Sequence, residues 1–197
     1  MRGLVILGRS SGRWLLLLLL AVHPLKGDTF HLYQRRVSAG ESGEVMVNIW
    51  QVGTNQFYFL PLPGWQVQGD ESAVTLTIRS PDQGACIVWR MLNDPPGSTN
   101  VVAMTNDFRP VILERYPEGE ILSEFTCHVA GGRGRAWDIR RVIPQRAVLQ
   151  TRFLRVQQPA GLMEFEMTTM VQKFPEHEVT FRALLSSIRI ESEPGKE

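Results

Sequence analysis

The chain has 197 residues, 43% of them apolar and 21% charged, with a formal net charge of +1. These values fit one ordinary globular domain or two very small ones, and they exclude disordered, collagenous and coiled-coil chains. Two cysteines exclude a disulfide-dense miniprotein, and the near-neutral balance argues against a generic nucleic-acid binder.

At the start, Arg2, Arg9 and Arg13 precede an apolar run from Trp14 to Val22 that contains the leucines 15–20. His23, Pro24, Leu25, Lys26 and Gly27 follow. A basic start, a short apolar stretch and a small residue at the cut mark a secretory signal peptide. The run falls short of the roughly 20 residues that span a bilayer. Residues 1–27 are therefore expected to be a signal peptide cleaved after Gly27; the alternative is a retained N-terminal anchor. No cysteine follows the run, so lipid attachment is not supported. Removal leaves 170 residues, with 17 basic against 20 acidic side chains and a net charge of −3. The slight basicity thus belongs to the export signal. No second long apolar run exists, so a soluble secreted or periplasmic protein is expected, without a transmembrane helix after cleavage. Export puts Cys86 and Cys127 where disulfides persist. They are the only pair, so one bridge is open to them; the alternative is two buried small apolar side chains.

Along the chain, Val45, Val47 and Ile49 alternate as in a strand over 44–52. Residues 56–60 are aromatic and strand-like, then Pro61, Pro63 and Gly64 interrupt. Val74, Leu76 and Ile78 alternate with Thr75, Thr77 and Arg79, which predicts one buried and one wet face. A turn at 81–84 leads to 85–92, apolar on both sides and suited to a central strand. A loop at 93–100 precedes a helical spacing of Met104, Phe108, Val111 and Ile112, with Pro110 at a first-turn position or a kink and Pro117 and Gly119 as the stop. Ile121, Ser123, Phe125, Cys127 and Val129 are assigned one face of a strand. Gly131, Gly132 and Gly134 are expected to form a loop. Leu149, Thr151 and Phe153 are assigned one face of a further strand, Gln158 to Gly161 a turn, and Met163, Phe165, Met167, Thr169 and Val171 the inward face of the strand after it; centring the turn of this hairpin on Pro159 sets Arg152 opposite Glu166 and Phe153 opposite Phe165. Phe181, Leu184, Leu185 and Ile188 make an i, i+3, i+4, i+7 stripe, and Pro175 with Glu176 suits a helix start. Residues 28–190 are expected to form a single α+β domain: an antiparallel β-sheet flanked by helices, with a polar tail over 191–197.

The segment from Phe59 to Trp65 (FLPLPGW), followed by VTLTIRSP from Val74 to Pro81, resembles the entry strands of PsbP-like proteins. Residues 146–151, 162–168 and FRALLSSIRI from Phe181 to Ile190 resemble that fold's last hairpin and closing helix. The resemblance runs from Phe57 to Ile190. It implies a layered antiparallel sheet with helices, in a superfamily that includes PsbP, a Ran-binding nuclear-import protein and DcrB-type envelope proteins. Most members act by binding proteins. No metal-site motif of the family has a counterpart here.

Candidate sites follow from composition. His31, His128 and His177 lack ligand or triad spacing, so no catalytic, metal or cofactor residue is assigned, and no cofactor is expected. From Arg133 to Arg155 there are seven arginines (Arg133, Arg135, Arg140, Arg141, Arg146, Arg152 and Arg155) against Asp138 alone, a local +6. Such a segment attracts an acidic protein, an anionic head group or a polyanion; the alternative is a solvated sheet face balanced by Glu164, Glu166 and the last helix. Trp50, Phe57, Tyr58, Phe59 and Trp65 form an aromatic group in which neighbours on one strand cannot share one face. The expectation is a non-enzymatic protein-binding accessory domain, using Arg133, Arg135, Arg140, Arg141 and Arg146 or Trp50, Tyr58 and Trp65. Its partner would be another envelope or secreted protein, an acidic one for the arginine surface, and not nucleic acid. A carrier of a small apolar ligand held between sheet and helix is the alternative.

Overall fold

The structure, a computed structural model, describes residues 30–38, 40, 43–92, 109–144 and 147–192. Residues 1–29, which include the expected signal peptide, and Met104, Phe108 and Arg146 lie outside the described residues. The elements in order are β1 Phe30–Ser38, β2 Glu44–Val52, β3 Asn55–Phe59, β4 Gln66–Asp70, β5 Thr75–Arg79, β6 Ala85–Leu92, α1 Arg109–Arg115, β7 Glu120–Val129, β8 Gly132–Val142, β9 Val148–Gln158, β10 Gly161–Met170, α2 Phe174–Ser187 and β11 Arg189–Ser192. All strand pairs are antiparallel. They form a four-stranded sheet, β1-β2-β3-β11, and a seven-stranded sheet, β4-β5-β6-β10-β9-β8-β7.

Sheets make the layers. The inner face of the small sheet supplies Trp50, Phe57 and Phe59, which meet Trp89 of β6 with ring centroids 4.9, 5.6 and 5.6 Å apart. Phe165, Met163 and Met167 of β10 extend this core, and α2 adds Phe174, Phe181 and Leu184. The predicted stripe is the buried one: Phe181, Leu184 and Ile188 are fully enclosed. On the opposite face of the large sheet a second cluster joins Trp137, Ile139 and Phe153 to Ile112 of α1 and to Tyr116. The expectation of a sheet flanked by helices is therefore corrected. α2 has 14 residues and α1 only 7, and α1 packs on the part of the large sheet around β8 and β9.

Three local expectations change for physical reasons. The β9–β10 turn consists of two residues, Pro159 and Ala160, with Gln158 opposite Gly161. Its centre falls between residues, so Phe165 faces Leu154, Glu166 faces Phe153 and Arg152 faces Met167. A shift of one residue moves a side chain to the other face, which puts Arg152 on the α2 side of the sheet. A bulge between Ile121 and Ser123 breaks the alternation of β7, so Ile121 joins the Trp137 cluster instead of Phe125's face. Gly131 alone of the three glycines is in the β7–β8 turn, beside Ala130, both with positive φ. Gly132 and Gly134 are inside β8, and a Cβ on Gly134 would stand 2.0 Å from the Arg155 carbonyl oxygen.

Cys86 on β6 and Cys127 on β7 are both free. Strands β10, β9 and β8 lie between them. At about 4.8 Å per strand, that separation far exceeds the roughly 7 Å Cα limit for a disulfide. The bridge expected as one option does not form. Burial pushes the Cys127 thiol up to about 11 and the Cys86 thiol upward too. The polar tail also starts later than expected, because Glu191 and Ser192 pair with Gln56 and Asn55 of β3.

Candidate functional site

The arginine segment folds onto its own counter-ions. Arg152 donates Nε and Nη2 to the two carboxylate oxygens of Asp138, at 2.7 and 2.8 Å, and Nη1 to Glu178 of α2 at 2.6 Å. Burial opposes its charge, yet Asp138 and Glu178 outweigh that and hold its pKa above the ordinary value. Its guanidinium also stacks 5.0 Å from the Phe125 ring and 5.2 Å from Phe174. On the other face Arg155 pairs with Glu164 at 2.9 Å, and Arg115 of α1 joins Glu164 and Glu166, both at 2.9 Å. Arg140 pairs with Glu120 at 2.6 Å, and Arg135 pairs with Glu124. Arg141 lies 4.9 Å over the Tyr116 ring and reaches Thr151 Oγ1 at 3.4 Å. Arg133 is exposed on β8, opposite His128. The local +6 of the sequence is therefore met mostly within the molecule.

The aromatic group divides by strand alternation. Trp50, Phe57 and Phe59 point into the core, and Tyr58 between the latter two points out. Trp65 is half-buried, its ring edge-on to the buried His177 at 5.7 Å. Of Trp50, Tyr58 and Trp65, then, only Tyr58 belongs to an outer sheet face.

That face carries a distinct arrangement. Pairing aligns Tyr33 of β1, Ile49 of β2 and Tyr58 of β3 in one row across the small sheet. The adjoining rows set Val47 beside Arg35 and Val45 beside Val37. Tyr33 is 39% exposed, and Ile49 is enclosed between the two tyrosines. None of Val45, Val47, Ile49, Tyr33 and Tyr58 belongs to either hydrophobic cluster, and since Ile49 and Val47 are themselves buried, the surface this row offers is that of Tyr33 and, in part, Tyr58 and Val45. His31, Gln51, Gln56 and Glu191 line its polar end. The Tyr58 hydroxyl donates to Gln56 Oε1 at 2.7 Å. Burial raises its pKa, and the neighbouring Glu191 carboxylate raises it further, so the phenol stays a neutral donor. An apolar centre with tyrosines and a polar border is the composition of a protein-binding patch.

Sequence reasoning missed Tyr33 and Arg35 because it assigned no strand before residue 44. The signal was present: Phe30 and Leu32 alternate with His31, Tyr33 and Arg35. Among the described residues no group of three histidine, cysteine or acidic side chains is arranged to hold a metal ion. No helix among them is long and apolar enough to cross a membrane.

No protein-family model matches the chain, and no curated protein sequence is significantly similar to it. Solved structures are similar in fold. The cyanobacterial PsbP (CyanoP) of Synechocystis sp. PCC 6803 aligns at 11% identity over 80% of this chain and 92% of its own, with a TM-score of 0.47. LpqN, involved in cell envelope biogenesis of Mycobacterium tuberculosis, aligns at 10% identity over 81% and 91%, with a TM-score of 0.49. The Ran-binding protein Mog1p of Saccharomyces cerevisiae aligns at 9% identity over 78% and 86%, with a TM-score of 0.41. These likenesses, all at TM-scores below 0.5, transfer no functional residue and no role.

Proposed function

We propose that the chain is an exported, non-enzymatic accessory protein that binds another protein through the outer face of its four-stranded sheet. The carrying observation is the pair Tyr33 and Tyr58, which flank the buried Ile49 on the outer face of the small sheet and belong to neither core cluster, with Arg35 and Val45 on the same face. Tyrosine and arginine dominate the energetics of protein interfaces, whereas scattered surface pairs contribute little. The arginines of β8 and β9 are poorer candidates, because their charges already meet Asp138, Glu164, Glu120 and Glu124. Export rests on the basic and apolar pattern of residues 1–27.

The layer between the large sheet and α2, where a carrier's pocket would lie, is occupied by Trp89, Phe165, Phe181 and Leu184, all fully buried. That packing favours the binding reading over the carrier. The test is affinity capture from the exported fraction with the purified chain and with Tyr33→Ser/Tyr58→Ser. A defined partner should be lost with the double variant while the fold persists. Equal capture by both would contradict the assignment, and a lipid or pigment in native mass spectra would support the carrier instead.

A further inference from the structure

The β7–β8 turn, the end of α2 and the start of β11 enclose a pocket of about 440 Å³ that opens to solvent. Its chemistry is set by Arg189. The Nη1 group of this side chain donates to the Ser186 carbonyl at 3.1 Å and to the Ile188 carbonyl at 2.8 Å. Two such bonds fix the plane of the guanidinium against the helix terminus. They leave the Nε–Nη2 edge, the fork that matches a carboxylate with two parallel hydrogen bonds. No carboxylate among the described residues lies within ion-pair distance of Arg189.

The rest of the lining is complementary. His128 of β7 also borders the opening, although its side chain alternates with Cys127 and Val129, which pack on the α2 side. Leu185, Ile190 and Ala130 supply apolar surface. At Gly131 a Cβ would meet nothing within 4 Å, so the turn leaves the entrance clear. A volume of this size accommodates a small organic molecule, and a pre-oriented cation beside an apolar wall selects one that is anionic at one end.

We propose that this pocket binds a small organic carboxylate, its carboxylate held by the free edge of Arg189, its short hydrocarbon chain against Leu185 and Ile190. Arg189 is paired with Tyr58 at the margin of the docking face assigned above, so the two readings are separated by their readouts: partner capture by the tyrosine variants for one, and hexanoate binding by the Arg189 variant for the other. The experiment is a titration of the ¹⁵N-labelled chain with hexanoate and, separately, with hexanamide, the uncharged analogue. Hexanoate should give saturable shifts at Ala130, Gly131, Ser186 and Ile190, and hexanamide should bind at least about tenfold more weakly. Arg189→Lys keeps the charge but removes the fork and should weaken hexanoate about tenfold or more. Ser186→Phe, at an exposed position on the rim, should block entry. Absence of saturable shifts at these residues, equal binding of the amide, or unchanged binding in both variants would overturn the proposal.

Discussion

The two sheets treat their polar side chains in opposite ways. In the large sheet arginines meet carboxylates, and the inner pairs are largely removed from water: Asp138 and Arg152 each expose 12% of their side chain, and Glu164 exposes 6%. On the small sheet's outer face, Tyr33 and Tyr58 flank the buried Ile49 and belong to neither core cluster. The difference teaches that a count of charges along a sequence measures composition and not availability. The stretch that looks most like a binding surface in the sequence is held by its own acids, and a stretch with no unusual composition is the one left facing outward.

Breaking the large-sheet network has the largest expected effect. Asp138→Ala leaves Arg152 buried beside Phe125 and Phe174 with Glu178 as its remaining partner. Removing one member of a buried pair costs about 3 kcal/mol or more, measurable as a lowered urea midpoint. A loss under about 1 kcal/mol would show that the pair behaves as a solvated one. On the same face of that sheet, the Cys127 thiol is raised to about 11 by burial. Its thiolate fraction at pH 8 is then about a hundredfold below that of an ordinary thiol. Alkylation by iodoacetamide should be slow by that factor, and thiol titration in denaturant should find both cysteines reduced. Fast alkylation, or no titratable thiol, would contradict the burial of Cys127 or the separation of the two strands.

On the small sheet, Tyr33→Ser/Tyr58→Ser removes the rings beside the buried Ile49 and should lower stability by about 1–2 kcal/mol, so binding is compared at matched folded protein. The double variant should weaken partner binding by about thirtyfold, the scale of a hot-spot pair. The smallest effect belongs to the rim of the large sheet. Arg140→Gln breaks only an exposed pair with Glu120 and should cost under about 1 kcal/mol, with partner binding unchanged. A large loss of binding in this variant would reverse the comparison and return the binding role to the arginines.

Much of the fold is legible in the sequence where burial is one-sided. The alternation of Leu76 and Ile78 with threonines, the apolar run of β6 and the stripe on α2 each report their position correctly, because a period of 2 or 3.6 follows from which side meets water. The strands that escape are β1, β4 and β11, where Gln34, Arg35, Arg36, Gln66, Gln68 and Asp70 dilute the apolar pattern at sheet margins. Pairing partners are less legible still. The register of β9 and β10 depends on whether two or three residues turn the chain, and moving it by one changes the partner of Arg152 from Glu166 to Asp138 and Glu178. The arginine segment was visible as composition, but its neutralisation depends on Glu120, Glu124, Glu164 and Glu178, which come from other strands and from α2. Tyr58 was legible as one of several aromatics; its neighbours Tyr33 and Ile49 arrive only through strand pairing.

The most direct test is site-specific photocrosslinking in the producing cell, with a photoreactive phenylalanine placed at Tyr33 on the small sheet or at Val142, which is 59% exposed at the end of β8. Protein binding through the small sheet predicts a discrete adduct from position 33 and none from position 142. An adduct from position 142 without one from position 33 would contradict it.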